Sequence, residues 1–445
     1  MIPLQWVKPF AVVCLVGTML FGAPAFYTFV FGVILLSLAN PQAYLGLLFF
    51  SGPLKNAPLI HRSPLDLTLF SYLLFFAFFV NQRIGKWSIS RNAMIMNGVL
   101  LFCLLSVLLS MSITPAPWDY LSRSGIFIVI FYLPLVFLIL NLPREQVRES
   151  AVELLKISLV IGYAWLGLGL HNELTGNYQH RLDDPNYLVD HLSAFGEDYM
   201  IFSSFVVILY VEAFVQLLYK KNYIINGLLV LVLTFAIVNS PARGLTIGLL
   251  LAALALTAIW LHRFTINKLI VVLTAPVLLF ILLAVYTTFF VQTRQSLLIQ
   301  RLVDFSPKGT SISHRIEAIK LGWEHWKENP FLGSGTDSVA FFSGDPGYYT
   351  HNLFLEIVFE YGLLGGLPLL VLLALMLISF TNLTLKETIP SRSVEGLWLM
   401  GIFIVFFSFG MFSGTMGNMR QLWILLAMVT ALGLARRDNQ FSYRY

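Results

Sequence analysis

Residues 351–380 read HNLFLEIVFEYGLLGGLPLLVLLALMLISF. A histidine–asparagine pair opens the stretch, and the charged groups after it are Glu356 and Glu360. About 20 apolar residues in helical form cross the hydrocarbon core of a bilayer, so this segment reads as a membrane-spanning helix. On a 3.6-residue helix, Gly362 lies about 20° around from His351 and Gly365 about 40°. The spacing predicts one face carrying His351, Leu355, Val358, Gly362 and Gly365, with the imidazole at the water end. Below it, Gly362 and Gly365 leave a bare strip for close packing of another helix. An ionisable group held at a membrane face is a candidate for function.

The rest of the chain repeats this character. Of 445 residues, 58% are hydrophobic and 11% charged, whereas a soluble domain carries roughly 25% charged residues. Apolar runs of spanning length recur from end to end, which predicts an all-α polytopic membrane protein; the short alternating segments of a β-barrel do not appear. No segment reads as a separate soluble domain, so residues 1–445 are expected to form one integral membrane domain. The N-terminal apolar run lacks a small-residue cleavage site and is read as a span rather than a signal peptide. Cys14 and Cys103 both lie inside apolar runs and imply neither a disulfide nor a metal site. The net charge of +5 comes without a basic block, which argues against nucleic acid.

Spans are expected at 66–82, 94–112, 125–142, 151–171, 198–219, 223–239, 244–262, 269–291, 351–380, 395–412 and 421–435. Residues 8–50 could hold one, two or three more, with a break near Asn40-Pro41, for a total of 12–14. Basic residues in short loops mark the cytoplasmic side. Arg83, Lys86, Arg91, Arg144, Arg148, Lys220, Lys221, Arg263, Lys268, Lys386, Arg392, Arg436 and Arg437 fall on one side of this topology and Lys55, Arg62, Arg123, Arg181, Arg243 and Arg420 on the other, which places the C-terminus in the cytoplasm. The His351 end, the 172–197 loop and the large 292–350 loop then face outward.

Within that large loop, SISHRIEAIKLGWEHWKE (311–328) has apolar positions Ile312, Ile316, Ile319, Trp323 and Trp326 at spacings of 4, 3, 4 and 3. This predicts an amphipathic helix, capped by Thr310 or Ser311 and ended by Asn329-Pro330, resting on lipid or on the bundle. A Gly-rich turn, FLGSGTDS, follows.

Arg243 stands in NSPARGL at the outer end of a span. It reads either as a snorkelling interface arginine or as a clamp for an anion, since a planar guanidinium grips phosphate oxygens at two points. Arg315, preceded by His314 on the loop helix, reads as a solvated-face arginine whose interest is its position, in the same compartment as Arg243 and His351. In HRLDDPNYLVDH (180–191), Asp184-Pro185-Asn186 is a turn signature. Arg181 and Asp183 there could bind a head group or pair with each other, and a metal reading is weak because no spacing matches a ligand set. His351 is the candidate general base. A helix N-terminus would favour its neutral form and a nearby diphosphate its charged form. No P-loop and no HExxH pattern is present. Intramembrane acids (Glu153, Glu212, Glu356, Glu360) are too few to favour an ion-coupled transporter.

These residues resemble a known family. His351-Asn352 followed by Gly362 and Gly365, the SPARG turn at Arg243, RIEAIKLGWEHWKENPFLGSG, and the DPN of 184–186 are together similar to the O-antigen ligase and polymerase superfamily. The resemblance covers roughly residues 175–365. It implies a multi-span glycosyltransferase of the GT-C type in the bacterial inner membrane, with its site facing the periplasm. The implied donor is a glycan on undecaprenyl diphosphate, and the implied acceptor a sugar hydroxyl of lipid A-core for a ligase or of a second lipid-linked glycan for a polymerase. The reaction would invert the anomeric centre without cofactor or metal. Carried across, Arg243 and Arg315 hold the diphosphate and His351 acts on the acceptor hydroxyl. Arg181, Asn352, Asp184 and Asn186 contact substrate, and Gly362 and Gly365 pack the His351 helix. The motifs do not separate ligase from polymerase, although the length and loop pattern lean toward ligase. A flippase that binds the same lipid-linked anion without breaking a bond is the rival from another class.

Overall fold

The computed structural model describes residues 4–55, 66–83, 91–117, 125–175, 199–219, 223–238, 242–261, 310–345, 348–385, 394–412 and 419–442. They fold as helices: α1 (Leu4–Phe21), α2 (Ala23–Leu38), α3 (Tyr44–Lys55), α4 (Leu67–Arg83), α5 (Arg91–Ile113) and α6 (Gly125–Leu140). Then come α7 (Arg144–Thr175), α8 (Tyr199–Tyr219), α9 (Tyr223–Val238), α10 (Arg243–Leu261), α11 (Thr310–Glu328), α12 (Ser338–Ser343), α13 (Leu353–Leu385), α14 (Val394–Phe412) and α15 (Arg420–Ser442). The chain is an all-α polytopic membrane protein. Among the described residues, four helices are long and apolar enough to cross a membrane by length and composition, and eight shorter helices are apolar. The expected span at 269–291 and the 180–191 cluster, with Arg181, Asp184 and Asn186, lie outside the described residues.

Residues 8–50 resolve into three helices. Gly22, at φ 65°, breaks α1 from α2 because a left-handed backbone costs an L-residue with a Cβ roughly 1–2 kcal/mol. Pro41 opens a 3₁₀ turn, Pro41–Ala43, before α3. α1 runs alongside α7 rather than hanging free. Leu15 and Thr18 lie against Gly167, and Met19 O meets His171 Nδ1 at 2.9 Å. Lys8 pairs with the buried Glu212 of α8 at 2.7 Å. Lys156 pairs with Glu153 at 2.7 Å on α7. Two of the four intramembrane acids are therefore neutralised within the bundle, as buried charges require. Cys14 and Cys103 are buried and free.

The helices alternate in direction, and cross-links mark the two ends of the bundle. At one end Asn97 and Asn141 exchange carboxamide bonds of 2.9 and 3.0 Å, and Gln42 reaches Gln146 and Glu149. At the other end are the start of α13, the end of α14 and the start of α15. All the candidate residues within the described segments lie toward that second end.

Candidate functional site

The 351–380 stretch is not one regular helix. Asn352, not His351, is the N-cap of α13: its carboxamide oxygen accepts the backbone N–H groups of Phe354 and Leu355 at 3.0 Å each. His351 precedes the cap in a left-handed conformation, φ 55°. Ten residues on, Gly362 departs from helical geometry with φ 61° and ψ −165°, and α13 breaks there. The single face expected from His351 through Gly365 therefore does not exist. The 3.6-residue count assumed an unbroken helix, and neither end of the run obeys it.

The break leaves four backbone groups without intrahelical partners, and each finds one in the Gly-rich turn after α11. The amides of Ser334 and Gly335 donate to the carbonyls of Phe359 and Glu360, both at 2.9 Å. In return the amides of Leu363 and Leu364 donate to the carbonyls of Pro330 and Phe331, at 3.0 and 2.9 Å. Non-helical backbone at membrane depth survives only where protein satisfies it in this way. A Cβ on Gly362 would strike Phe331 O, Leu332 C and Gly333 N, so the packing partner of Gly362 is this turn. Gly365 instead sits beside α5, where a Cβ would come 3.8 Å from Ser106 O. Ser110 of α5 and Thr114 just after its end pin the turn from its other side. Thr336 Oγ1 donates to Ser110 Oγ (2.8 Å), and Thr114 Oγ1 donates to Thr336 O (2.7 Å).

α11 forms where the periodicity predicts it, and the residues that meet α13 most closely are small ones beside the Ile/Trp stripe. Ala318 and Gly322 are buried, and Gly322 lets the Phe359 ring of α13 come against the helix backbone. Ile316 and Trp323 remain exposed, at 41% and 47%. Small residues permit close approach, so they take the helix contact and leave the large apolar groups at the rim, as an interfacial helix would.

This contact carries Arg315 to the end of α14, where its Nη1 donates to the Phe412 carbonyl at 2.7 Å. Asn352 Nδ2 donates to the neighbouring Met411 carbonyl at 3.0 Å. His351 is half-buried. Its Nδ1 is buried and makes no hydrogen bond with the described residues, and its ring lies 3.9 Å from the Tyr349 ring. Burial first, and the Arg315 charge second, lower its pKa to about 4. The imidazole is thus held neutral by desolvation and a cation, rather than by the helix dipole that the sequence reading considered.

Arg243 opens α10, which packs antiparallel to α14. A Cβ on Gly401 would lie 3.1 Å from Leu256 Cδ1, and one on Gly248 would lie 3.0 Å from Val405 Cα and 3.2 Å from Ser408 Cβ. Continuing that register brings the backbone at Arg243 level with the last turn of α14, the turn that holds Arg315 and Asn352. The structure therefore brings Arg315, His351, Asn352 and the start of α10 together. Replacing Asn352 by alanine removes both the cap and the tie to Met411. It is expected to lower stability by about 1–2 kcal/mol, measurable as a lower melting temperature in detergent.

One residue of this end served the sequence reading only as a topology marker. Arg420, at the start of α15, donates through Nη1 to Ser51 Oγ (2.6 Å) and Thr68 Oγ1 (3.1 Å), which ties α15 to α3 and α4. Met419 beside it touches the site where a Cβ on Gly410 would stand, just before Met411 and Phe412. Its signal was the one that picked out Arg243: a lone arginine at the outer end of an apolar helix.

No curated protein matches the chain in sequence. Residues 228–370, which include Arg243, Arg315, His351, Asn352, Gly362 and Gly365, match the family described as O-Antigen ligase, so this part of the chain is similar to the O-antigen ligase and polymerase superfamily.

Proposed function

We propose that the chain moves a glycan from undecaprenyl diphosphate to a sugar hydroxyl of lipid A-core, at the periplasmic face of the inner membrane, with inversion and without a metal ion. The observation that carries this reading is the meeting of Arg315, His351 and Asn352 at the end of α14, with Arg243 opening the helix alongside. In the step proposed, the acceptor oxygen attacks the anomeric carbon as its proton passes to the His351 imidazole. The bond from that carbon to the diphosphate breaks, and its electron pair leaves with the diphosphate. Guanidinium groups of Arg243 and Arg315 take up that charge where it develops, which is preorganised electrostatic stabilisation. The left-handed backbone at His351 supports the assignment, because strain of this kind gathers at functional sites.

The test uses purified protein with lipid-linked repeats, with and without lipid A-core. Transfer only with core supports the ligase, chain growth without core supports the polymerase, and an intact donor glycosidic bond in both arms favours the flippase. Arg243→Ala and Arg315→Ala are each expected to lower turnover about 10²–10³-fold, the scale of a lost oxyanion donor. Activity is expected to persist in excess EDTA; loss on chelation with rescue by a divalent ion would reject the arginine-based account.

A further inference from the structure

The water-side face of α11 carries groups that the transfer chemistry above leaves unused. Arg315, Ala318 and Gly322 turn toward the bundle, whereas His314 and Glu317 turn away, with side chains 63% and 65% exposed. Over them lies Tyr348. The Tyr348 hydroxyl donates to the His314 carbonyl at 2.9 Å, and its ring meets the His314 ring edge-on at 6.3 Å. The carboxylates of Glu317 and Asp345 lie close enough to Tyr348 to push its phenol pKa up, after burial. The next residue, Tyr349, sets its ring 3.9 Å from the His351 imidazole. Aromatic faces flanked by carboxylates suit a pyranose: its C–H faces lie on the rings and its hydroxyls donate to the carboxylates.

We propose that Tyr348, Tyr349 and Glu317 form a subsite that holds the acceptor sugar beside His351. This rests on the glycosyltransferase reading above. The acceptor rather than the donor is assigned here because the donor's lipid and diphosphate belong on the membrane side with Arg315, and this face of α11 opens away from it. Tyr349 then links the subsite to the base, so a hydroxyl of the seated sugar reaches the imidazole.

Two readouts test this. The first is steady-state transfer with donor and acceptor varied separately, the acceptor being whichever of lipid A-core and lipid-linked repeat the wild type uses. The second is saturation-transfer NMR with the lipid-free oligosaccharide of each. Glu317→Gln and Tyr348→Ala are each expected to raise the acceptor KM about tenfold, the loss of one hydrogen bond to a charged group or of one stacked ring. The donor KM should stay within about twofold, and the oligosaccharide signal should fall in parallel. Tyr348→Phe, which keeps the ring, should stay close to wild type. Glu317 is exposed, so its variant folds even if Tyr348→Ala does not. An unchanged acceptor KM in both variants overturns the subsite while leaving the enzyme reading intact, as does an equal rise in both KM values. If wild type leaves the donor bond intact, the enzyme reading fails, and the NMR arm still decides: binding lost in both variants keeps a sugar site, and no binding by wild type removes it.

Discussion

Replacing Gly362 by alanine is expected to remove most of the folded protein. The residue holds φ 61°, where a Cβ costs roughly 1–2 kcal/mol. The new methyl would also collide with backbone atoms of Phe331, Leu332 and Gly333, none of which can rotate aside as a side-chain tip would. Relief requires the turn to leave the break in α13, and that gives up the four reciprocal backbone bonds at Phe359, Glu360, Leu363 and Leu364. At about 1 kcal/mol each, with the strain added, the loss is on the order of 5 kcal/mol, a large share of a typical stability of 5–15 kcal/mol. Gly333→Ala should act alike, since its Cβ would meet the Glu360 carbonyl and the Gly362 amide from the other side. Gly365→Ala is the control. Gly365 has helical backbone, and its methyl would meet Tyr361 Cβ at 3.1 Å and Ser106 O at 3.8 Å, which small shifts absorb. The measurement is the monodisperse yield and melting temperature of each variant in detergent. A Gly362→Ala protein that melts within 2–3 °C of wild type would show that the break is not held by this turn, since about 1 kcal/mol shifts a large domain by 2–4 °C.

The spans were legible because hydropathy reports the bilayer directly: α4 to α6, α8 to α10 and α14 begin and end close to where the apolar runs do, while α7 starts and α15 ends seven residues beyond them in polar sequence. Asn40-Pro41 likewise marked the break before α3, whereas the break at Gly22 was not picked out. The break in α13 was not legible, because residues 353–385 are apolar on both sides of Gly362 and a lone glycine inside a span equally fits close helix packing. Its meaning depends on Phe331–Gly335, some thirty residues away, and that pairing is tertiary. The same limit applies to Arg420, whose hydroxyl partners come from α3 and α4. For α11 the period was legible, but the choice between lipid and bundle needed the fold, since hydrophobicity ranks Trp323 above Gly322 while close approach ranks them the other way. Arg315 and His351 were picked by compartment and residue type, but their convergence on α14 needed the fold.

The acid limb of the transfer rate is expected to lie well below the usual histidine range. With its pKa lowered to about 4, His351 stays a free base through the interval in which an exposed imidazole, with a pKa near 6.5, would be protonated. The limb in kcat/KM, which reports the enzyme before it binds substrate, should therefore fall near pH 4–5. Donor binding brings a diphosphate toward Arg315, offsets the cation that helps to depress the pKa, and adds negative charge of its own. Both effects favour the imidazolium, so the limb in kcat should lie above the limb in kcat/KM. Arg315→Gln removes the second cause of the shift and should move the kcat/KM limb upward, while burial, the first cause, keeps it below 6.5. Stability follows the same sign. Between about pH 6.5 and 4 the unfolded chain binds a proton at this position that the native chain does not, so the native state loses ground as pH falls through that window. His351→Ala should lose about 10²–10⁴-fold in turnover, the worth of a positioned general base, and with it the limb itself. A wild-type limb near pH 6.5 that coincides in kcat and kcat/KM and stays fixed in Arg315→Gln would mean that the imidazole is solvated and distant from Arg315. The base would then have to be sought elsewhere at the end of α14.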